Sequence, residues 1–188
     1  MTVNRGELFI DSGLADDFRL QTQNLDLIPS GKQLVDVTWL DRDRLSQILN
    51  ADVPDEWPPE LVKDDSSPHG EGWWDWYIVK RDGRRSTLIG MAGLKGWPQV
   101  SRAVQMGCAF LPQFQKQGFG TEAVDGLTSW ALRQPQIERV TANTPVGNYG
   151  APAVLRRLGF AQVDSADPAL LRFEKTRLQA QTSVLSAH

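Results

Sequence analysis

The 188-residue sequence is poor in cysteine and histidine, with a single cysteine and two histidines. Cys108 alone cannot form an intramolecular disulfide, so a disulfide-stabilised secreted scaffold is excluded and a reducing, cytoplasmic location is expected. His69 and His188 are too far apart in sequence to suggest a metal cluster, and we predict no metal. A catalytic or binding role therefore falls to other side chains or to main-chain groups.

Long apolar runs and an excess of basic charge are also missing. No run approaches the ~20 apolar residues that a membrane-spanning helix needs, and residues 1–22 lack the apolar core of a signal peptide. The net charge is −3, and we find no basic stripe with interleaved aromatic residues. We therefore expect neither a membrane nor a nucleic acid as partner.

Composition and length instead predict one folded domain, since hydrophobic residues make up 40% of the chain and seven are tryptophans. We interpret residues 1–22 as a polar N-terminal extension, 23–177 as the domain and 178–188 as a polar tail. Strand-like runs lie at 73–80, 87–94 and 103–111, and they are separated by Asp82-Gly83 and by a turn around Trp97-Pro98. These three runs predict an antiparallel meander.

The second half of the domain has the pattern of a crossover unit. A helix is predicted from Thr121 to about Leu132, followed by a strand at 137–143, a helix after Asn148 and a closing hairpin. A strand, a helix and a further strand in this order usually place the two strands parallel. The fold class is therefore α/β (α+β), with a mixed sheet.

The segment from Ala51 to Gly72 contains four prolines and predicts a long loop. Loops of this length inside compact domains are usually functional or mobile, so we interpret this one as a lid over a substrate. Trp57 and Glu60 in the loop, and Trp74 in the strand after it, are the predicted substrate contacts. Packing of Trp57 in the core is an equally good reading, and strand tryptophans often fill a core.

Two glycines, Gly118 and Gly120, lie between a predicted strand and a predicted helix. Main-chain N–H groups converge in such a loop, and the helix adds its unpaired N–H groups and the positive end of its dipole. This geometry binds phosphate. The segment lacks the Gly-Lys-Ser/Thr ending of a P-loop and the third glycine of a dinucleotide fingerprint, so a different phosphate ligand is predicted.

The segment resembles the pyrophosphate loop of the GNAT superfamily of acetyltransferases, which reads Arg or Gln, two residues, Gly, one residue, then Gly or Ala. Gln115, Gly118 and Gly120 match it. A second family-like motif, an asparagine followed at fixed spacing by a small residue and Gly-Phe, is matched by Asn148, Ala151, Gly159 and Phe160. Two motifs in the right order are far more specific than either alone.

This resemblance implies a GNAT-type fold, in which a central, mostly antiparallel sheet splays at its two parallel strands and has helices on both faces. It also implies an N-acetyltransferase that moves an acetyl group from acetyl-CoA to a primary amine of a small molecule or of a peptide or protein N-terminus. The chain would act as a monomer or homodimer. The alternative is a non-catalytic GNAT-like sensor or scaffold that binds acyl-CoA.

The resemblance carries over to the CoA contacts residue by residue. Gln115 would shape the turn and Lys116 would add positive charge, while the pyrophosphate would bind the N–H groups of Gln117, Gly118, Phe119, Gly120 and Thr121. The pantetheine arm would run along the backbone of Ala109, Phe110 and Leu111. Asn148 would contact that arm or the substrate.

Two catalytic positions of the family hold unexpected residues. A glutamate base is common at the strand position that holds Gln105, and a tyrosine acid is common at the position of Leu155. The tyrosine is also absent from the branch of the family that resembles ribosomal-protein N-terminal acetyltransferases, and the sequence is similar to that branch in this respect. We predict Glu71 as the replacement base, with the Phe110 N–H as a donor to the thioester oxygen and Asn148 as a further catalytic contact.

Cys108 lies in an apolar run with no histidine beside it. Free cysteines in such positions are usually small buried side chains, and an acyl-carrying cysteine needs an activating neighbour. The sequence therefore favours direct transfer to the amine.

Overall fold

In the computed structural model, residues 19–29, 41–58, 73–83, 85–96 and 98–180 are described, without the side chains of residues 73–75, 98 and 99. Glu60, His69 and Glu71, and the helix predicted after Ser30, lie outside these residues. No helix in the described part is both long enough and apolar enough to cross a bilayer.

Nine described strands form one sheet. They are β1 (Leu20–Gln21), β2 (Leu25–Pro29), β3 (Ala51–Asp52), β4 (Trp73–Lys80), β5 (Ser86–Lys95), β6 (Ala103–Phe110), β7 (Arg139–Pro145), β8 (Ala161–Val163) and β9 (Leu170–Thr176). Their order is β1-β2-β4-β5-β6-β7-β9-β8, and β3 pairs with β5 beside this path. The sheet begins at Leu20, inside the predicted N-terminal extension.

Most neighbouring strands run antiparallel, but β6 and β7 are parallel, as the crossover unit predicts. The short β3 also runs parallel to β5. The prediction of a mixed, mostly antiparallel sheet is confirmed, and so is the closing hairpin of β8 and β9. The meander of β4, β5 and β6 has the predicted antiparallel pairing.

Helices lie around the sheet, and four of them lie wholly within the described residues: α1 (Arg42–Leu49), α2 (Pro98–Ser101), α3 (Phe119–Arg133) and α4 (Gly150–Arg157). Asp41 caps α1, because its carboxylate accepts a hydrogen bond of 2.9 Å from the Arg44 N–H. α3 begins two residues before the predicted Thr121, so both loop glycines lie at its start. The main chain at Gly118 has φ +91°, a conformation that favours glycine.

Apolar side chains on the two faces of the sheet form separate clusters. The larger cluster packs α3 and α4 against the sheet, and its Trp76 and Trp130 rings meet edge to face with centroids 4.8 Å apart. The smaller cluster lies under α1 and includes Tyr77 and Trp57. Helices therefore flank the sheet on both faces, as expected.

Candidate active site

The sheet opens between its two parallel strands. Pairing of β6 with β7 ends at Met106 and Ala142, although β6 continues to Phe110 and β7 to Pro145. Beyond that point β6 stays paired with β5, and β7 stays paired with β9. A V-shaped wedge therefore separates the carboxyl ends of β6 and β7.

Main-chain groups of β6 face into this wedge. The Leu111 N–H donates to the Ile89 carbonyl at 2.9 Å, so the alternation of antiparallel pairing directs the main-chain groups of Ala109 and Leu111 toward β5. Those of Cys108 and Phe110 point the other way, toward the departing β7. Strand alternation thus makes Cys108 and Phe110 the residues whose backbone can pair with an extended ligand.

The loop after β6 brings N–H groups to the mouth of the wedge. A 3-10 turn at Pro112–Phe114 leads into Gln115, whose side-chain amide donates to the Phe110 carbonyl at 3.0 Å. Lys116 and Gly118 both have left-handed backbone conformations, with φ of +59° and +91°. The first hydrogen bond of α3 joins the Glu122 N–H to the Gly118 carbonyl, so the N–H groups before Glu122 precede the helical ladder.

Glu122, the acidic residue in the first turn of α3, is held away from the loop. One carboxylate oxygen accepts hydrogen bonds of 2.5 Å from both the Thr22 hydroxyl and the Asn24 N–H, and the other accepts one of 2.9 Å from the Asn24 side chain. Burial acts to raise the pKa of this carboxyl, but these hydrogen bonds outweigh burial and hold the pKa below its ordinary value of 4.5. The carboxylate is charged, and both of its oxygens accept hydrogen bonds.

Cationic side chains lie around the start of α3. Lys116 is exposed in the loop itself. The Arg157 guanidinium, which reaches across from α4, donates to the Thr121 hydroxyl at 2.6 Å. The Lys80 ammonium lies 5.9 Å from the centroid of the Phe119 ring, although it also pairs with Asp82 at 3.3 Å. This end of the helix is therefore electropositive.

Asn148 lies at the entry to α4, on the other side of the wedge. Its side-chain oxygen accepts hydrogen bonds from the N–H groups of Gly150 and Ala151, at 3.0 and 3.1 Å. The side chain therefore caps the helix, and its amide N–H₂ is the part left to contact a ligand. A cap of this kind also explains why an asparagine precedes a helix at this point.

Cys108 departs from the expectation of a buried side chain, because the residue is exposed. It lies beyond the last β6–β7 pair, where the departure of β7 uncovers the strand edge. The thiol is nevertheless surrounded by enough protein to be desolvated, and this raises its pKa to about 11. The thiol is protonated at neutral pH, which makes it a poor nucleophile.

The two positions that depart from the family pattern differ in their surroundings. Leu155 is 5% exposed and packs in the larger core, so no ionisable group replaces the absent acid there. Gln105 is exposed on β6 and is paired in register with Thr141 of β7, which is in turn paired with Glu174 of β9. The Glu174 side chain therefore lies on the same face of the sheet as Gln105, two strands away or ~10 Å from it.

Of the predicted substrate contacts, only Trp57 has a described side chain. Trp57 is 5% exposed and lies in the smaller cluster, with its ring centroid 6.3 Å from that of Tyr77. Trp74 belongs to β4. The roles of Trp57, Trp74, Glu60 and Glu71 stay predictions.

The sequence model described as "Acetyltransferase (GNAT) domain" matches residues 36–161. That range contains the wedge, the glycine loop and both motifs. The chain belongs to the GNAT acetyltransferase family. It is accordingly an acyltransferase, and acetyl transfer to an amine is the reaction of the family. The unpaired edge of β6 and the N–H groups before Glu122 fit the extended arm and the pyrophosphate of acetyl-CoA, the family's co-substrate.

Two Bacillus subtilis proteins are similar in sequence. YjdG, an N-acetyltransferase of uncharacterized function, is 26% identical over 159 residues, which span 78% of this chain and 89% of YjdG. YdaF, by name a candidate ribosomal N-acetyltransferase, is 31% identical over 84 residues, 45% of this chain and 46% of YdaF. Among solved structures, the ribosomal L7/L12 α-N-protein acetyltransferase RimL in complex with coenzyme A has a TM-score of 0.57 at 14% identity, covering 85% of this chain and 98% of RimL. The structural likeness supports the fold.

Proposed function

We propose that this acetyltransferase moves the acetyl group of acetyl-CoA directly onto the N-terminal amine of a peptide or protein. The proposal rests on two structural features that lie next to each other. The wedge offers the edge of β6 at Cys108 and Phe110, with which β7 no longer pairs, and the loop at its mouth offers N–H groups at the positive end of α3. An extended thiol arm ending in a pyrophosphate matches both.

In this arrangement the pyrophosphate binds the main-chain N–H groups from Gln117 to Thr121, with Lys116 supplying charge. Gln115 keeps the loop against the end of β6 through its hydrogen bond to the Phe110 carbonyl. The pantetheine arm runs along this edge of β6 as an added strand and pairs with the main chain of Cys108, since Gln115 already bonds the Phe110 carbonyl. Ala109 and Leu111 flank the arm, because their own main-chain groups pair with β5.

The chemical step joins the amine nitrogen to the acetyl carbon and breaks the carbon–sulfur bond. The Phe110 N–H, which faces the wedge, donates to the thioester oxygen as negative charge develops there. The amine gives up a proton to a base, for which Glu71 is our proposal, and the departing thiolate takes up a proton. The side-chain N–H₂ of Asn148 contacts the pantetheine arm and positions it near the reacting atoms.

Direct transfer is favoured over an acyl-cysteine intermediate by the state of Cys108. Its pKa of about 11 leaves very little thiolate at neutral pH, and the described residues around the wedge include no histidine to activate it. We therefore propose a single acetyl transfer with both substrates bound together.

The proposed acceptor rests on the sequence likeness to YdaF, whose name points to ribosomal proteins. Glu60 and Trp74 are proposed to face this acceptor, with the Glu60 carboxylate attracting its ammonium group. Trp57, the further predicted contact, packs in the smaller cluster with 5% of its surface exposed. A cytoplasmic location, which the single cysteine favours, suits such an acceptor. The proposal needs no metal, and it holds for a monomer or a homodimer.

The test is a thiol-release assay with acetyl-CoA and matched peptides that carry either a free or an acetylated N-terminus. We expect release only with the free N-terminus, and a panel of polyamines and aminoglycosides tests small amines in the same assay. The assay should use Cys108→Ala protein, since the native thiol would also react with the reagent. CoA binding without turnover on any amine would contradict the proposal and favour a sensor or scaffold, a role consistent with Gln105 and Leu155.

A further inference from the structure

Gly107 lies at the closed end of the wedge, where β7 leaves β6. It follows Met106, the last residue of β6 that pairs with β7, and it precedes Cys108 at the open edge. The pairing of β6 with β5 continues through Gly107 without a shift of register, so the strand has no bulge at this point. A glycine therefore occupies a regular, exposed strand position at the closed end of the wedge.

The fold itself does not require a glycine at this position. Glycine inside a strand normally marks a positive φ, a bulge or a close approach of other atoms. The φ of Gly107 is not positive, and a Cβ built on it would have no atom of the described residues within 4 Å. Gly90 on β5 is the contrast, because a Cβ there would lie 2.5 Å from the Ala109 carbonyl oxygen. Packing explains the glycine at position 90 but not the one at position 107.

The open space over Gly107 lies on the face of the sheet that carries α1. Met106 packs in the larger cluster, on the face that carries α3. Strand alternation directs position 107 to the opposite face, together with Gln105 and Ala109. Leu111, directly after β6, belongs to the smaller cluster on this same face. One side of β6 is therefore filled by the larger cluster, and the space over Gly107 is on the other side.

We propose that Gly107 is a specificity-determining residue, over which the main chain of the acceptor passes behind its reacting amine. The amine reacts at the thioester, to which the Phe110 N–H donates. Gly107 lies three residues back along β6, at ~10 Å from Phe110, a distance that about three extended peptide residues span. A peptide N-terminus therefore reaches from Phe110 to Gly107, whereas a single amino acid does not. The inference rests on the proposed function, to which it adds the path of the acceptor.

The experiment compares two acceptors that differ only in length, a single amino-acid amide and a tetrapeptide amide with the same first residue. Both are tested with wild type, Gly107→Ala and Gly107→Val, and the acetylated product is measured by mass spectrometry. We expect kcat/KM for the tetrapeptide to fall about tenfold in Gly107→Val, because the added side chain meets the acceptor main chain, and by less in Gly107→Ala. For the single amino-acid amide, kcat/KM should stay within about twofold of wild type.

Two further measurements separate this effect from damage to the fold or to coenzyme binding. The Kd for CoA, measured by calorimetry, should be the same in wild type and in both variants. The unfolding midpoint should not fall in Gly107→Val, because valine favours a strand more than glycine does and the space around it is open.

Ala161→Val is the matched control for added bulk on this face of the sheet. Ala161 is exposed on β8 and pairs with Glu174 of β9, which pairs with Thr141 of β7 beside Gln105. It therefore lies on the same face as Gly107 but three strands from β6, at roughly 14 Å. This variant should leave kcat/KM for both acceptors within about twofold of wild type.

An unchanged kcat/KM for the tetrapeptide in Gly107→Val would overturn the inference. An equal loss for both acceptors, or a loss accompanied by weaker CoA binding, would also overturn it, because the added side chain would then act on the thioester or the coenzyme. Failure of wild type to acetylate any peptide is a separate result, because it would overturn the proposed function itself.

Discussion

The two sides of the wedge region differ in what builds them. The proposed cofactor side consists of main-chain groups, at the edge of β6 beyond its pairing with β7, at two left-handed residues in the loop and at the start of α3. The acceptor side depends on side chains, and its two familiar catalytic positions hold Gln105 and Leu155. A site made of main-chain groups depends on where glycines lie and how strands pair. A catalytic side chain, in contrast, can be supplied from different positions around the cleft.

This difference implies that the two sides can be damaged separately. Variants on the acceptor side should lower turnover without changing coenzyme binding, and variants in the loop should do the reverse. Four predictions, with expected effects from about a hundredfold to less than twofold, test this separation.

Glu71→Gln should give the largest effect, because it removes the proposed base. Proton transfer by a positioned side chain typically contributes at least about a hundredfold, so we expect a loss of about that size in kcat with an unchanged Kd for acetyl-CoA. Steady-state kinetics across pH measure it. Glu138→Gln is the control, since Glu138 pairs with Arg102 at 2.7 Å, at the end of β7 away from the wedge.

Glu174→Gln sharpens the same experiment, because Glu174 shares a row across the sheet with Gln105. A large loss of kcat in this variant, with a normal pH profile in Glu71→Gln, would move the base to β9 and refute the Glu71 assignment. A loss confined to Glu71→Gln supports it.

Gly118→Val should weaken acetyl-CoA binding by about tenfold, because a side chain at φ +91° costs roughly 1–2 kcal/mol and drives the loop out of its conformation. Titration calorimetry measures the Kd. Gly83→Val is the matched control, since Gly83 also has positive φ, at +27°, and open space around it, but lies between β4 and β5. Equal losses of affinity in the two variants would contradict a role for the loop conformation.

Glu122→Gln should raise the KM for acetyl-CoA about threefold and leave kcat unchanged, because Glu122 ties the first turn of α3 to Thr22 and Asn24. We also expect the free energy of unfolding to fall by about 1.5–3 kcal/mol, the usual contribution of hydrogen bonds to a charged group. Kinetics and denaturant unfolding provide the two measurements. A change in kcat alone would contradict a positioning role.

The pH dependence of this stability difference has a definite sign. The folded-state pKa of Glu122 lies below its ordinary value of 4.5, so the carboxylate stabilises the fold fully above about pH 4.5. The contribution is lost as pH falls through the folded-state pKa. The stability difference between wild type and Glu122→Gln should therefore narrow in acid, and a difference that widens there would contradict this account.

Cys108→Ala should have the smallest effect, within about twofold in kcat, because the thiol takes no part in direct transfer. In the wild-type protein, alkylation by iodoacetamide should be slow at pH 7 and should accelerate toward pH 11, following the raised pKa of about 11. Loss of most activity in Cys108→Ala would point instead to an acyl-cysteine intermediate.

The sequence predicted the parts of the molecule that depend on local patterns. The meander, the parallel crossover and the glycine loop follow from strand-like runs between turn residues, from helix periodicity and from the positions of Gly118 and Gly120. The start of α3 was placed two residues late, because Phe119 and Gly120 carry no helix signal of their own and are ordered by the helix that follows.

Other features depend on three-dimensional register and could not be read from the chain. Cys108 was expected to be buried because its neighbours are apolar, but its exposure follows from where β7 leaves β6. The same register makes Cys108 and Phe110, and not Ala109 or Leu111, present main-chain groups to the wedge. The meeting of Arg157 with Thr121 joins residues that are 36 apart and needs the packing of α4 beside α3.

The most direct test of the central claim follows the main-chain amides of the loop while CoA is added. We predict that in ¹⁵N-resolved NMR spectra the N–H resonances from Lys116 to Thr121 shift progressively and saturate together with those of Cys108 and Phe110, while the Gly83 resonance stays in place. CoA binding that leaves the loop resonances unmoved would contradict the account.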